Sequence, residues 1–348
     1  MATTPQTNAT LGDIARELLR RDDIVICGHV SPDGDCLGSQ LALAHALRAC
    51  GKRVSCVLAE EDASIDGGLA FLPGIDGLVP PSACEGPVGA FVGVDVPTVE
   101  RIGDAARLHA AAAFTATIDH HAVPTTMAEL VYVDPDAAAT ALLVWELVTG
   151  FLPALDEDVR AKVALCAYTG LATDTGRFQY QNTDAACLRA ASEMVAAGAD
   201  PARVAREVFQ SRRLASVRLE ARAIERMRFA ADGQAVLSWV SRADFEELGA
   251  VKADAEPLIN ALRSVAGVRV ACMLREQGEG IRGSLRAKDE TDVSALARRY
   301  GGGGHVAAAG FTLHGDLQEQ ATAVLADLAA LVAPEAGGGA ASGEGSRR

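Results

Sequence analysis

DIVICGHVSPDGDCLGSQLALAHALRACGKRVSCV, residues 23–57, changes its period as it runs, and those changes decide the fold. Ile24–Cys27 is an apolar run of the length expected for a buried strand. Ser31–Ser39 then crowds proline, glycine and aspartate into a turn. Gln40–Cys50 returns to helical spacing and stops at Gly51, the residue type that most readily takes the left-handed conformation past a helix end. A second apolar run follows at Arg53–Glu60. Strand, loop, helix, strand is a unit that predicts a parallel sheet with a right-handed crossover.

The alternation extends in both directions. Residues 1–11 read as a lead-in, at whose end Thr10 can cap the helix LGDIARELLRR, with Asp13 completing a capping box. Downstream, GAFVGVDV (89–96), a helix beginning near Thr98, AAFTATIDHH (112–121) and AELVYVD (128–134) continue the pattern. AATALLVWELVTG (138–150) and DVRAKVALCAYTGLATDTG (158–176) read as helices. Asp200-Pro201 looks like an N-cap followed by proline at the first helical position, opening an Arg-rich helical connector over 200–228. Beyond it, AVLSWV (235–240), RVACMLREQG (269–278), GIRGSLRAK (280–288) and GFTLHG (310–315) suggest a smaller α+β unit. The expected organisation is α/β throughout. A catalytic domain with a parallel-rich, helix-flanked sheet spans 12–199, the second domain spans 229–331, and 332–348 form a disordered tail too poor in apolar residues to offset the cost of ordering.

Composition fits this plan. A chain of 348 residues exceeds one ordinary core, and with 49% apolar but only 4% aromatic residues its interior must be built from Ala, Val, Leu and Ile. The net charge of -14 disfavours broad capture of duplex DNA, which depends on many Lys and Arg contacts to phosphate. A phosphate substrate would need a locally positive site, which metal ions can supply. The eight cysteines form no CxxC pair, and the sequence shows neither a secretory signal nor a membrane-spanning run, so a reduced, cytoplasmic setting without membrane association is expected.

The chemistry gathers at the expected strand ends, where open α/β sheets bind ligands. His29, Asp33 and Asp35 are three hard-metal ligands in a tight turn after a strand. A solvated Asp-Gly turn is the ordinary meaning of a DG pair, but here it follows a buried strand. Asp95 ends VGVDV, Asp119-His120-His121 end TATIDHH, and Asp174 lies in TGLATDTG. An exposed polar strand end would explain the histidine pair alone equally well; the seven histidines of the whole chain and the extra carboxylate favour a site. His45 reads as a core or helix-surface residue, and His109 and His314 as surface residues. Arg101 can reach a phosphate or form an ordinary salt bridge; Arg177 and Phe178 follow Asp174 closely enough to touch a substrate, and Phe178 can equally be a core residue. The run Gly301–Gly304 with His305 is weak evidence by itself for a phosphate grip.

GHVSPDGDCLGS, VGVDV, TIDHH and TGLATDTGRF, in that order, resemble the four motifs of the DHH phosphoesterases. GSLRAK and GGGGHVAAAGF resemble the associated DHHA1 substrate-binding domain, so the resemblance runs from about residue 12 to residue 331. It is most similar to the branch that hydrolyses short oligoribonucleotides (nanoRNA) and 3'-phosphoadenosine 5'-phosphate (pAp), with cyclic-di-AMP and pApA hydrolases as the alternative. The resemblance implies one metal held by His29, Asp33 and Asp95 and a second held by Asp35, Asp95, His120 and Asp174, with Asp95 bridging. It implies His121 beside the phosphate as a catalytic group, Asp119 orienting the neighbouring imidazole, and a hydroxide nucleophile activated by the two ions. For the second domain it implies substrate contacts from Arg286 and His305, then Ser284, Arg282, Gly303 and Gly304. Four carboxylates in one cavity need compensation, and mixed oxygen and imidazole ligands suit two manganese ions, with magnesium, cobalt or iron as alternatives. Short RNA or a small adenine nucleotide is the expected substrate, a homodimer is expected from related proteins, and a nucleotide sensor without catalysis is the competing class.

Overall fold

A computed structural model describes residues 7–333 apart from 124, 125, 279 and 305. The chain separates into two compact units, Met1–Ser211 and Arg212–Arg348.

The first unit is built on strands β1 (Ile24–Cys27), β2 (Val54–Val57), β3 (Leu78–Val79), β4 (Ala90–Val94), β5 (Thr115–Asp119) and β6 (Leu130–Val133). They lie parallel in the order β3-β2-β1-β4-β5-β6. The chain steps outward from β1 to β3, then returns to the far side of β1 with β4. The switch point therefore falls between β1 and β4, where the carboxyl ends diverge and leave a crevice.

Helices α1 (Leu11–Arg20), α2 (Gly34–Ala49), α3 (Ala106–Ala111), α4 (Thr140–Phe151), α5 (Glu157–Asp174), α6 (Ala185–Ala196) and the short α7 (Pro201–Val204) complete this unit. Thr10 and Asp13 form the expected capping box, and Asp200 caps α7. Leu37, Leu41, Leu143, Val144, Val163 and Leu171 join the sheet residues Ile24, Ile26, Val92 and Ile118 in one large core. Phe91, Val96, Ile102 and Leu108 cover the other sheet face. The helix expected near Thr98 begins as a 3-10 turn over Val99–Ala105, because Gly103 breaks it at φ 48°, and only then becomes α3.

α2 is buried over almost its whole circumference, which lets it lie between β1 and α5. Glycine makes that approach feasible. A Cβ on Gly38 would sit 2.5 Å from the Cys166 carbonyl oxygen, and one on Gly170 would sit 2.7 Å from the Ala141 Cβ and 2.9 Å from Asp35 Oδ1. Helix contact distance thus sets where Asp35 and Asp174 stand.

Residues 200–228 are not one continuous helix. After α7 a single π-helical turn covers Ala205–Phe209, residues 210–213 are non-helical, and α8 (Leu214–Glu225) begins afresh. The Ser211 hydroxyl donates to the Arg206 carbonyl and Arg213 is extended at ψ 146°, so the ladder stops although the residue types favour helix.

The second unit carries strands β7 (Arg228–Ala230), β8 (Ala235–Val240), β9 (Val270–Gln277), β10 (Gly280–Ala287), β11 (Gly303–Gly304) and β12 (Ala308–Leu313), in the order β11-β12-β10-β9-β8-β7. Only the β8–β9 pairing is parallel. Helices α9 (Arg242–Leu248), α10 (Leu258–Ser264), α11 (Val293–Arg299) and α12 (Leu317–Val332) complete the unit. α11 and α12 bury Leu274, Leu285 and Phe311 on one sheet face, while α8 and α10 bury Val236, Ala271 and Met273 on the other.

Candidate active site

β1 runs into His29, β4 into Asp95, and β5 ends at Asp119 and continues into His120 and His121. The turn after β1 delivers Asp33 and Asp35 to the start of α2, and Asp174 closes α5. Asp95 and Ser31 both adopt φ 56°, a left-handed conformation that costs a non-glycine residue about 1–3 kcal/mol and is kept only where the surroundings enforce it.

The six residues expected to hold metal converge on Asp95. His29 Nε2 lies 3.3 Å from Asp95 Oδ2 and 3.9 Å from Asp33 Oδ1. On the other oxygen, His120 Nε2 lies 3.5 Å from Asp95 Oδ1, and it also lies 3.6 Å from Asp174 Oδ2 and 4.0 Å from Asp35 Oδ2. His29, Asp33 and Asp95 form one cluster with donor atoms within 4.8 Å of one another; Asp35, His120 and Asp174 form another, and Asp95, His120 and His121 a third. Asp95 belongs to two of these clusters and turns one oxygen toward each histidine, the arrangement a bridging carboxylate requires.

Each imidazole is fixed from behind. His29 Nδ1 donates to its neighbour's carbonyl, Val30 O, at 2.8 Å, and His120 Nδ1 donates to Ala137 O at 3.2 Å. A carbonyl only accepts, so in the neutral ring the lone pair of each sits on Nε2, the atom facing the carboxylates. His121 Nδ1 donates to Asp119 Oδ1 at 2.7 Å. Asp119 is fully buried and also accepts from the His120 amide at 2.9 Å. It therefore holds the strand end and the His121 ring together.

The carboxylates are tied down as firmly. Asp33 caps α2 by accepting from the amides of Asp35 and Cys36, both at 3.0 Å. Asp35 accepts from Thr140 N at 2.7 Å, Ala141 N at 2.8 Å and Ser39 Oγ at 3.2 Å, and Asp95 accepts from Thr140 Oγ1 at 3.1 Å.

Burial, then mutual repulsion, dominates the electrostatics. Burial followed by the Asp35 and Asp33 charges pushes the Asp95 carboxyl well above its ordinary range, and burial raises Asp35 also. Asp174 rises to about 8, from burial and then from Asp35. For His120, burial alone would lower the basicity, but the carboxylates of Asp174, Asp35 and Asp95 outweigh it and bring the ring to about 9. The protein has assembled a cavity with a deficit of positive charge.

In the second unit, Arg282, Ser284 and Arg286 alternate along β10 and share one face of the strand. Gly303 and Gly304 pair with Gly310 and Ala309 as the short β11. The tip of the Arg282 guanidinium lies 2.8 Å from the point where a Gly310 Cβ would stand, so glycine there makes room for the arginine. His305 lies outside the described residues. Arg101 is exposed; its backbone carbonyl accepts from Val30 N at 2.8 Å, which ties its 3-10 turn to the His29 loop. His45 is held by the Pro73 carbonyl at 2.8 Å and His314 is exposed, as expected. His109, expected on the surface, is half-buried edge-on against Phe91 and bonded to the Met127 carbonyl, because α3 lays it over the sheet.

Sequence reading missed Thr140, whose only signal was a polar residue opening an otherwise apolar helix, and Ser39, one turn after Asp35. It also missed Arg275, 4% exposed, which donates to Ser284 Oγ at 2.9 Å and pairs with Glu256 at 2.7 Å. Its position opposite Arg282 on β9 is visible only once the strand register is known.

Residues 23–171 match the DHH family, N-terminal domain, and residues 233–333 match the DHHA1 domain. The chain belongs to the DHH family, and it is a hydrolase of phosphate esters. It is 33% identical over 87% of its length, and 88% of the relative's, to the bifunctional oligoribonuclease and PAP phosphatase NrnA of Thermus thermophilus. It is 28% identical to the NrnA of Bacillus subtilis over 92% of this chain and 97% of that one. Among solved structures it resembles an exopolyphosphatase-related protein from Bacteroides fragilis, with TM-score 0.84 and 27% identity, covering 92% of this chain and 95% of the other.

Proposed function

We propose that the protein is a metal-dependent phosphoesterase that hydrolyses short oligoribonucleotides and 3'-phosphoadenosine 5'-phosphate. The observation that carries this reading is the convergence of His29, Asp33, Asp35, Asp95, His120 and Asp174, with Asp95 turning one carboxylate oxygen toward His29 of one cluster and the other toward His120 of the next. Likeness along nearly the whole chain to proteins named for both activities supports the choice of substrates.

The donor set fits divalent cations. It is all oxygen and imidazole, every member except the exposed Asp33 is buried or partly buried, and burial with mutual repulsion raises the carboxyls of Asp35, Asp95 and Asp174 above their ordinary range. His29, Asp33 and Asp95 would hold one cation and Asp35, Asp95, His120 and Asp174 the other, and the donor types would suit manganese. Such cations supply Lewis-acid charge to the phosphate and make a water acidic enough to attack it.

The protein's own groups do the rest. His29 and His120 keep their Nε2 lone pairs aimed inward through bonds on Nδ1. His121, with Nδ1 held by Asp119, delivers a proton to the departing oxygen from Nε2, and Asp119 stabilises the ring while it carries that proton. In the second unit, Arg286, Ser284, Arg282, Gly303, Gly304 and His305 are the proposed nucleotide contacts; in the first unit, Arg101 is the proposed phosphate contact. A net charge of -14 disfavours broad electrostatic capture of duplex DNA.

Turnover of the metal-stripped protein with added manganese, on pAp, short RNA, pApA and cyclic-di-AMP side by side, tests the proposal. Release of AMP from the first two supports it. Hydrolysis confined to the two dinucleotides would replace it with the dinucleotide reading, and tight nucleotide binding with no turnover would make the protein a sensor.

A further inference from the structure

Thr140 is wholly buried at the first position of α4, and four hydrogen bonds join it or residues close to it in the chain to groups of the site. Its hydroxyl lies 3.1 Å from Asp95 Oδ1. Its amide donates to Asp35 Oδ2 at 2.7 Å, and the next amide, Ala141 N, donates to Asp35 Oδ1 at 2.8 Å. Three residues earlier, the Ala137 carbonyl accepts from His120 Nδ1. One turn of chain therefore touches Asp35, Asp95 and His120.

The helix end explains why. A helix leaves its first amides without intrahelical acceptors, and a side chain at the N-cap ordinarily takes one of them. Here the N-cap is Ala139, which has no side-chain acceptor. Asp35, from α2, takes both first-turn amides instead, one on each carboxylate oxygen. The amides lock the plane of the carboxylate, and the positive end of the α4 dipole stabilises its charge.

The hydroxyl completes the coupling. Asp95 sits on a strained left-handed backbone, with His29 beside one carboxylate oxygen and His120 and His121 beside the other. Thr140 Oγ1 approaches the oxygen on the His120 side. A carboxylate oxygen has capacity to accept this bond and still ligate. Threonine is β-branched and its χ1 is stiff, so the hydroxyl is a fixed donor rather than a swinging one.

We propose that Thr140 is a positioning residue for the paired cation site: its hydroxyl sets the orientation of Asp95, while its amide and that of Ala141 set Asp35, so that one helix start fixes the spacing between the two halves of the site. This rests on the metal-dependent reading above. Thr140 donates no electron pair to a cation itself and acts only through the two aspartates.

The test compares Thr140→Val, Thr140→Ala and Thr140→Ser in the full chain, with manganese affinity measured by calorimetric titration of chelator-treated protein, thermal unfolding as the check on folding, and kcat and KM on pAp at saturating manganese. The Val and Ala variants keep the backbone amide and lose the hydroxyl; they are expected to bind manganese about 10–100-fold more weakly, with kcat reduced and KM for pAp nearly unchanged. Thr140→Ser, which restores the donor, is expected within a few-fold of the parent. A folded Val or Ala variant with parental manganese affinity overturns the proposal. So does a Ser variant as impaired as the Ala variant, and that pair decides the matter if the Val variant does not fold. Failure of the parent protein itself to bind manganese would instead sink the metal-dependent reading.

Discussion

In the proposed site both halves depend on Asp95, which turns one oxygen toward His29 and the other toward His120. Asp95→Ala is expected to lower turnover of pAp by roughly 100-fold or more and to abolish high-affinity manganese binding at both positions, whereas Asp33→Ala removes a ligand from one half only. Metal stoichiometry measured on the two purified variants checks this; a variant lacking Asp95 that retained two tightly bound ions would contradict it. At the substrate end, Arg286→Ala removes a charged hydrogen-bond donor, a loss of about 1.5–3 kcal/mol. The expected outcome is KM for pAp raised about tenfold or more with kcat changed far less, read from initial rates. An unchanged KM would remove Arg286 from the substrate site.

At the scale of the elements, the close packing of α2 on α5 positions the aspartates of both helices. In Gly38→Ala the added methyl meets a backbone carbonyl that cannot rotate away, so urea unfolding is expected to show a loss of about 1–3 kcal/mol together with weaker manganese binding. Unaltered stability would mean the helices are not held at the distance described. α9 gives a pH-dependent counterpart in the second unit. Burial alone would raise the Asp244 carboxyl, but hydrogen bonds from Arg226 and from the Ser241 amide and hydroxyl outweigh it and hold the group at about 2. A lowered folded-state value means stability that is complete above the unfolded value near 4 and is lost as pH falls toward 2, amounting to roughly 2 kcal/mol. Urea unfolding at pH 5 and pH 3 should show a smaller acid loss for Asp244→Asn than for the parent; equal losses would assign the acid sensitivity elsewhere. The longer strands, the α1 capping box and the carboxyl-end placement of His29, Asp95 and His120 were legible from period and punctuation, whereas the two- and three-residue strands β3, β7 and β11 and the helix α6 were not. The interruption after Phe209 was not, since a Ser211 hydroxyl that competes for a helix carbonyl leaves no trace in hydrophobic spacing. Nor were Thr140 and Arg275, whose roles exist only through partners brought in from other elements.

For the whole molecule, a net charge of -14 and a cavity of repelling carboxylates leave a need for local positive charge, which divalent cations would supply beside the arginines proposed to contact phosphate. No helix among the described residues is long and apolar enough to cross a membrane. The measurement that tests the central claim most directly is AMP release by the full chain after metal stripping, from pAp and from a short oligoribonucleotide, with manganese restored, with chelator present, and with Asp95→Ala alongside. The prediction is turnover of both substrates with manganese, none with chelator, and turnover lower by roughly 100-fold or more in the variant. Equal turnover with chelator, or an inert metal-loaded parent protein, would contradict it.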